Sequence, residues 1–283
     1  MLATEAGRNV CQSLRRPDEI PHQILNSRQP LDGVANSSEF ATVSQVDLIK
    51  YQALGNDYLV LDLPGPLDEM VAIMPALCDR HLGLGSDGLV AFDPRVMSVR
   101  IFNPDRSEAQ KSGNGLRIAA AHAVLEHGAP ERFDLRTLDR SNAIRILART
   151  GAEIISELDI GRPSFRAADL PANFDGEPDQ VELETRAGPV EAVLVSVGNP
   201  HCVVFGQPVT RDRCLELGPL LERHPAFPQR AAACIRRGLV DARVTVQMPG
   251  GDLAVWRDSG GSLVQSGPAR RVYRARVDLA DFA

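Results

Sequence analysis

The chain has 283 residues, 43% of them hydrophobic, and a formal net charge of −6, with lysine confined to Lys50 and Lys111. That length and apolar content suffice for two modest domains with buried cores. The acidic balance excludes a general nucleic-acid surface, which needs a basic face, and no apolar run reaches the roughly 20 residues that cross a bilayer.

Residues 1–44 contain no secretory apolar core, and Glu5, Asp18, Glu19, Asp32 and Glu39 argue against an acid-poor transit peptide. The segment reads as a mobile polar extension. The five cysteines, Cys11, Cys78, Cys202, Cys214 and Cys234, form no CxxC pair and no zinc spacing with histidine. Free thiols, no metal and a cytoplasmic location are the expectation.

From Val46 the pattern becomes globular. DLIKYQALGNDYLVLD holds two strand-like runs around a Gly-Asn-Asp turn at 55–57, a short-loop hairpin signal. A helix-like segment near 67–80 leads into a glycine-punctuated loop with Gly83, Gly85 and Gly88, and a strand and turn follow in VRIFNPDRSEAQ. Ser112 then precedes a Gly-Asn-Gly turn that opens a helix over 115–127, ended by Gly128. Leu116, Ala119, Ala120, Ala123 and Val124 recur at helical spacing, and so many small residues predict packing on several sides.

Residues 133–160 read as three strands, and a Pro- and Asp-rich loop over 163–179 is the natural boundary between a unit at 45–163 and one at 164–283. Beyond it come further strands, a Gly198-Asn199-Pro200-His201 turn, a helix over 214–223, AAACIRRGLV, and two strand-rich stretches. The halves rhyme, each offering strands, an Ala-rich helix and more strands.

The segments KYQALGNDYLVLD, CDRHLGLGSDGL, RIFNPDRSEAQKSGNGLR, VSVGNPHCVVFG, LGPLLERHPAFPQR and VTVQMPGGDL stand in this order. They resemble the signature segments of the diaminopimelate epimerase family, from about Val46 to the C-terminus. The resemblance implies an α+β fold of two pseudo-symmetric domains, each a barrel-like antiparallel sheet around a central helix. It also implies a cofactor-free reaction. One cysteine thiolate at the start of a central helix removes the substrate's α-proton, and a second cysteine at the start of the other helix returns a proton to the opposite face. The α-carboxylate lies between the two helix N-termini.

The sequence departs from that pattern at both bases. Ser112 holds the first cysteine's position, and a serine hydroxyl needs a separate base to activate it. In the family, the segment resembling HPAFPQR leads to an Asn-Val strand, a strand ending in Glu-Arg-Gly, and a Cys-Gly-Thr-Gly turn. Here Arg230 runs directly into AAACIRRGLV, which resembles the middle of the second central helix. The second domain is therefore read as truncated after Arg230, and two-base catalysis as lost. Cys234 falls in the interior of that helix-like segment, where a small buried hydrophobe is expected.

Other contacts carry over from the resemblance. Asn56, Asn103 and Asn199 match substrate-binding asparagines, Gly113 and Asn114 match the turn that holds the α-carboxylate, and His201 lies near the site's mouth. From the residues alone, Asn56 and Asn199 read as turn positions tolerating left-handed geometry. The Pro-Gly-Gly at 249–251 reads as a hairpin turn and nothing more. Asp57, Asp87, Asp105 and Glu108 are candidate substitute bases, although loop aspartates usually cap turns.

Three functions follow: a true epimerase of LL-2,6-diaminopimelate in lysine biosynthesis, a repurposed one-base isomerase or lyase acting on a small carboxylate, or a non-catalytic ligand-binding or partner subunit. The expected ligand is a small amino acid or dicarboxylate. A homodimer or other partner is expected to cover the strand edges that truncation exposes.

Overall fold

A computed structural model describes residues 45–109, 112–138, 140–170, 181–197, 200–205, 210–227, 232–236, 243–248 and 250–282. Its larger sheet, of ten strands among the described residues, runs in the order β1 (Gln45–Ala53), β2 (Asn56–Asp62), β3 (Leu89–Asp93), β4 (Ser98–Phe102), β5 (Arg132–Arg136), β6 (Ser141–Thr150), β7 (Glu153–Gly161), β14 (Leu263–Asp278), and continues through β13 (Gly251–Arg257) to β12 (Arg243–Met248). Because β14 also pairs with β1, the eight strands from β1 to β7 and β14 close into a ring. The ring is antiparallel except at β2–β3 and at the single β4–β5 bridge, where the expected purely antiparallel pattern gives way to parallel pairing.

Inside the ring runs α3 (Gly113–His127), every residue of which from Asn114 to Val124 is buried. Leu116, Ile118, Ala119, Ala120 and Ala123 share one core with Tyr51, Phe92, Ile101, Leu135 and Ile154. A helix surrounded by sheet has no solvent face, which explains its small side chains and the absence of a polar stripe. Gly128 ends it in the left-handed conformation, at φ 65°. Two short helices, α1 (Leu67–Ala72) and α2 (Met74–Cys78), occupy the single helical segment expected near 67–80 and cover the outside of the ring with Met70, Met74 and Leu77.

The β1–β2 turn differs from the expected Gly-Asn-Asp turn. Leu54 and Gly55 take positive φ, 57° and 91°, and Asn56 already pairs with Ala53 as the first residue of β2. The two-residue primed turn thus lies one position upstream, so Asn56 is not a left-handed turn residue. The Pro-Gly-Gly hairpin between β12 (Arg243–Met248) and β13 (Gly251–Arg257) also has a role beyond turning the chain. A Cβ on Gly250 would lie 2.1 Å from the Leu54 carbonyl carbon, so the hairpin rests directly on the β1–β2 turn. Leu54, Val246 and Leu253 seal that contact.

The second sheet is smaller and open, in the order β11 (Ala232–Arg236), β10 (Pro200–Phe205), β9 (Gly188–Ser196), β8 (Val181–Thr185). α4 (Arg211–Glu222) supplies Leu217 and Leu221 to its core beside Leu183, Leu194 and Cys202. Residues 232–236 are a strand parallel to β10, not the helix interior expected for AAACIRRGLV and for Cys234. The edge of β10 offers backbone partners to an extended chain. Among the described residues this sheet has four strands against eight in the ring. The C-terminal β14 nonetheless returns to the ring, so the 164–283 stretch contributes to both sheets.

Candidate active site

The first turn of α3 is built from residues with little freedom to change. Ser112 is extended (φ −138°, ψ 117°), and its hydroxyl oxygen accepts from the Gly115 N–H at 3.1 Å, an N-cap. A Cβ on Gly115 would lie 2.6 Å from Ile101 Cδ1, and one on Gly113 would lie 2.2 Å from Gln265 Nε2. The two glycines thus let the side chains of Ile101 on β4 and Gln265 on β14 close on the start of the helix. Asn114 is buried, and its side-chain oxygen accepts from Arg117 Nη2 one turn further along. No acidic residue stands in this first turn. A ligand carboxylate placed here would meet backbone N–H groups, the positive end of the helix dipole and the buried Arg117 cation beneath it.

Gln265 was not legible as a site residue. It is 6% exposed, and its amide Nε2 makes no hydrogen bond among the described residues. A buried donor without an acceptor is costly, and this one abuts Gly113. The available signal was an amide within the otherwise apolar and small run LVQSGPA; only the ring topology brings it to the helix.

The structure divides the remaining candidates. Asn56 is buried, donates from Nδ2 to Asp87 Oδ2 at 2.8 Å, and leaves Oδ1 without a partner among the described residues. Asn103 is turned into its own loop, donating to Ser107 Oγ at 3.0 Å. Asn199 lies outside the described residues, as does the junction after Arg230.

The proposed substitute bases are held by cations or by their own turns. Asp57 pairs with Lys50 at 2.7 Å and Arg80 at 2.6 Å. Burial alone would raise its carboxyl, but Arg80 and Lys50 hold it below the ordinary value. Asp87 binds Arg80 and accepts from the Asp57 N–H. Glu108 takes both arms of Arg100, at 3.0 and 2.8 Å, and Asp105 accepts from the Ser107 backbone and hydroxyl. His201 sits in β10, where burial pushes its imidazole down to about 4, so it is neutral at physiological pH.

Sequence and fold comparisons agree with this geometry. The family model described as diaminopimelate epimerase matches residues 48–165. The diaminopimelate epimerase of Synechococcus elongatus is 30% identical over 278 residues, covering 82% of this chain and 98% of the relative. That of Pelotomaculum thermopropionicum is 31% identical over 272 residues, covering 79% and 96%. The aligned length exceeds the part of this chain that it takes in, so the relatives carry positions that this chain lacks. A solved structure of a predicted epimerase from Pseudomonas aeruginosa shares the fold, with a TM-score of 0.53 at 19% identity, over 82% of this chain and 99% of that one. With a closed ring around a capped helix, and relatives this similar over most of their length, the chain belongs to the diaminopimelate epimerase family.

Proposed function

We propose that the protein binds a small amino acid or dicarboxylate through a carboxylate at the N-terminus of α3, without the two-base inversion for which its relatives are named. The observation that carries this reading is the pairing of Ser112 and Gln265 around Gly113. Ser112 serves as the helix cap and offers no thiolate, while the buried Gln265 amide lacks an acceptor that a ligand carboxylate would supply. Inversion needs a base on each face, and a hydroxyl is far too weak an acid to exchange a proton near neutrality unaided.

The one-base isomerase or lyase reading draws less support. Its acids, Asp57, Asp105 and Glu108, are each tied to a cation or a turn donor. A ligand-binding unit whose open second sheet is covered by a second copy or by an active relative fits the arrangement better.

The test is calorimetric titration of LL-diaminopimelate into wild type and Gln265→Leu. A hydrogen bond to a charged group contributes about 1.5–3 kcal/mol, so Gln265→Leu should bind at least tenfold more weakly. It should also melt no lower without ligand, because it removes an unsatisfied buried amide. Equal affinity in the two proteins would remove Gln265 from the site and leave the carboxylate reading without its principal support.

A further inference from the structure

At the far end of α3 from Ser112, about 20 Å along a helix rising 1.5 Å per residue, three metal-ligating side chains converge. Asp62 closes β2, His122 lies in the last turns of α3, and His127 is its final residue. His122 Nε2 lies 2.8 Å from Asp62 Oδ1, and His127 Nε2 lies 3.1 Å from both Asp62 oxygens. The donor atoms all fall within 4.8 Å of one another. Tetrahedral coordination at ordinary zinc distances places ligand atoms about 3.4 Å apart, so small side-chain shifts suffice. His122 is buried, while Asp62 and His127 are partly exposed, which leaves an approach from solvent and room for a water ligand.

The surrounding hydrogen bonds set the direction of the His122 ring. Glu126 is bound by Arg271 and Arg274, so its carboxylate only accepts. Tyr51 donates its hydroxyl to Glu126 Oε1 at 3.3 Å, and its oxygen lies 3.2 Å from His122 Nδ1. With Nδ1 engaged there, Nε2 faces the Asp62 carboxylate oxygen 2.8 Å away. Carboxylate, tyrosine and histidine linked in this order form the outer shell that orients a metal-binding imidazole. Phe92 packs its ring 5.3 Å from His122 and 5.4 Å from His127, walling the cluster on one side.

From this geometry we infer that Asp62, His122 and His127 form a site for a divalent transition metal, with zinc the best fit to two imidazoles and one carboxylate. Such a donor set disfavours magnesium and calcium, which prefer all-oxygen shells. The ion would pin the end of β2 to the end of α3, remote from the candidate active site. No zinc spacing is visible along the chain because Asp62 stands far before the histidines.

The test uses the untagged full chain, stripped with chelator and titrated with Co²⁺, with Zn²⁺ as competitor. One Co²⁺ per chain should bind, with visible d–d absorption that Zn²⁺ abolishes, and Zn²⁺ should raise the melting temperature. His127→Gln and Asp62→Ala, both at partly exposed positions, should weaken binding by about a hundredfold or more, and Tyr51→Phe by about tenfold. His81→Gln, at an exposed histidine elsewhere, should change nothing. Absence of saturable binding to the wild type would overturn the inference and leave the three side chains as an ordinary hydrogen-bonded cluster. Binding that survives both His127→Gln and Asp62→Ala would overturn it equally.

Discussion

The closed ring and the open sheet of this chain solve one problem in different ways. In the ring every strand has at least two neighbours, and α3 is enclosed so that its buried face is its whole circumference. Among the described residues the second sheet ends at β8 on one side and β11 on the other, and α4 contributes only Leu217 and Leu221 as buried residues. Closure removes unpaired backbone edges and lets a helix of small residues be fully buried; an open sheet must leave edges and a half-covered helix. Stability should therefore be concentrated in the ring, and unfolding should not be two-state.

Core truncation should separate the two regions most strongly. Ile118→Ala, in the fully enclosed helix, should lower the stability of the ring by about 2–5 kcal/mol. Leu221→Ala should lower only an earlier transition belonging to the second sheet. Scanning calorimetry with hydrogen exchange would resolve them, and a single shared transition lowered by both substitutions would break the comparison.

Acid should separate them next. The His201 imidazole has its folded pKa lowered to about 4 from 6.5, so the unfolded chain takes up its proton first. Stability of the second sheet should fall by up to about 3 kcal/mol as pH drops from about 6.5 to about 4, and change little below that. In the ring, Asp57 has its folded pKa depressed. Its contribution is present above its ordinary value near 3.8 and is lost only as pH falls below it. Melting curves between pH 7 and pH 4 should thus move the second-sheet transition while leaving the ring nearly still, and His201→Gln should flatten that dependence.

The smallest effect concerns the cap. Ser112→Ala should destabilise the ring by about 1 kcal/mol through loss of the bond to the Gly115 N–H. Ser112→Gly should cost only a few tenths. Denaturant midpoints would distinguish a capping role from one confined to ligand contact.

Local signals were legible where neighbours in sequence decide the structure. The strands of 133–160 were read in order, and α3 was placed within two residues, because alternation, a cap and a C-terminal glycine are encoded locally. Three features were not. The β1–β2 turn was placed one residue late because Asn beside Gly imitates the turn residue that Leu54 in fact supplies. Residues 232–236 form a strand because the available partner is the backbone of β10, which no local pattern reveals. Gln265 became a site candidate only when β14 returned across the chain to close the ring. Family resemblance singled out Ser112, which the structure places as the N-cap of α3; the buried environment of Asn114, Arg117 and Gln265 depended on packing between distant segments.

The central claim is that the site at the start of α3 retains ligand binding and lacks a working proton-transfer base. It is tested most directly by incubating LL-diaminopimelate with wild type and Ser112→Cys in D₂O and following α-proton exchange and configuration by NMR. The account predicts line broadening or shifts from binding with no exchange in the wild type, and slow exchange without inversion once Ser112→Cys restores a single thiol beside Gly113. Deuterium incorporation or inversion by the wild type would contradict it, placing a competent base where none is assigned.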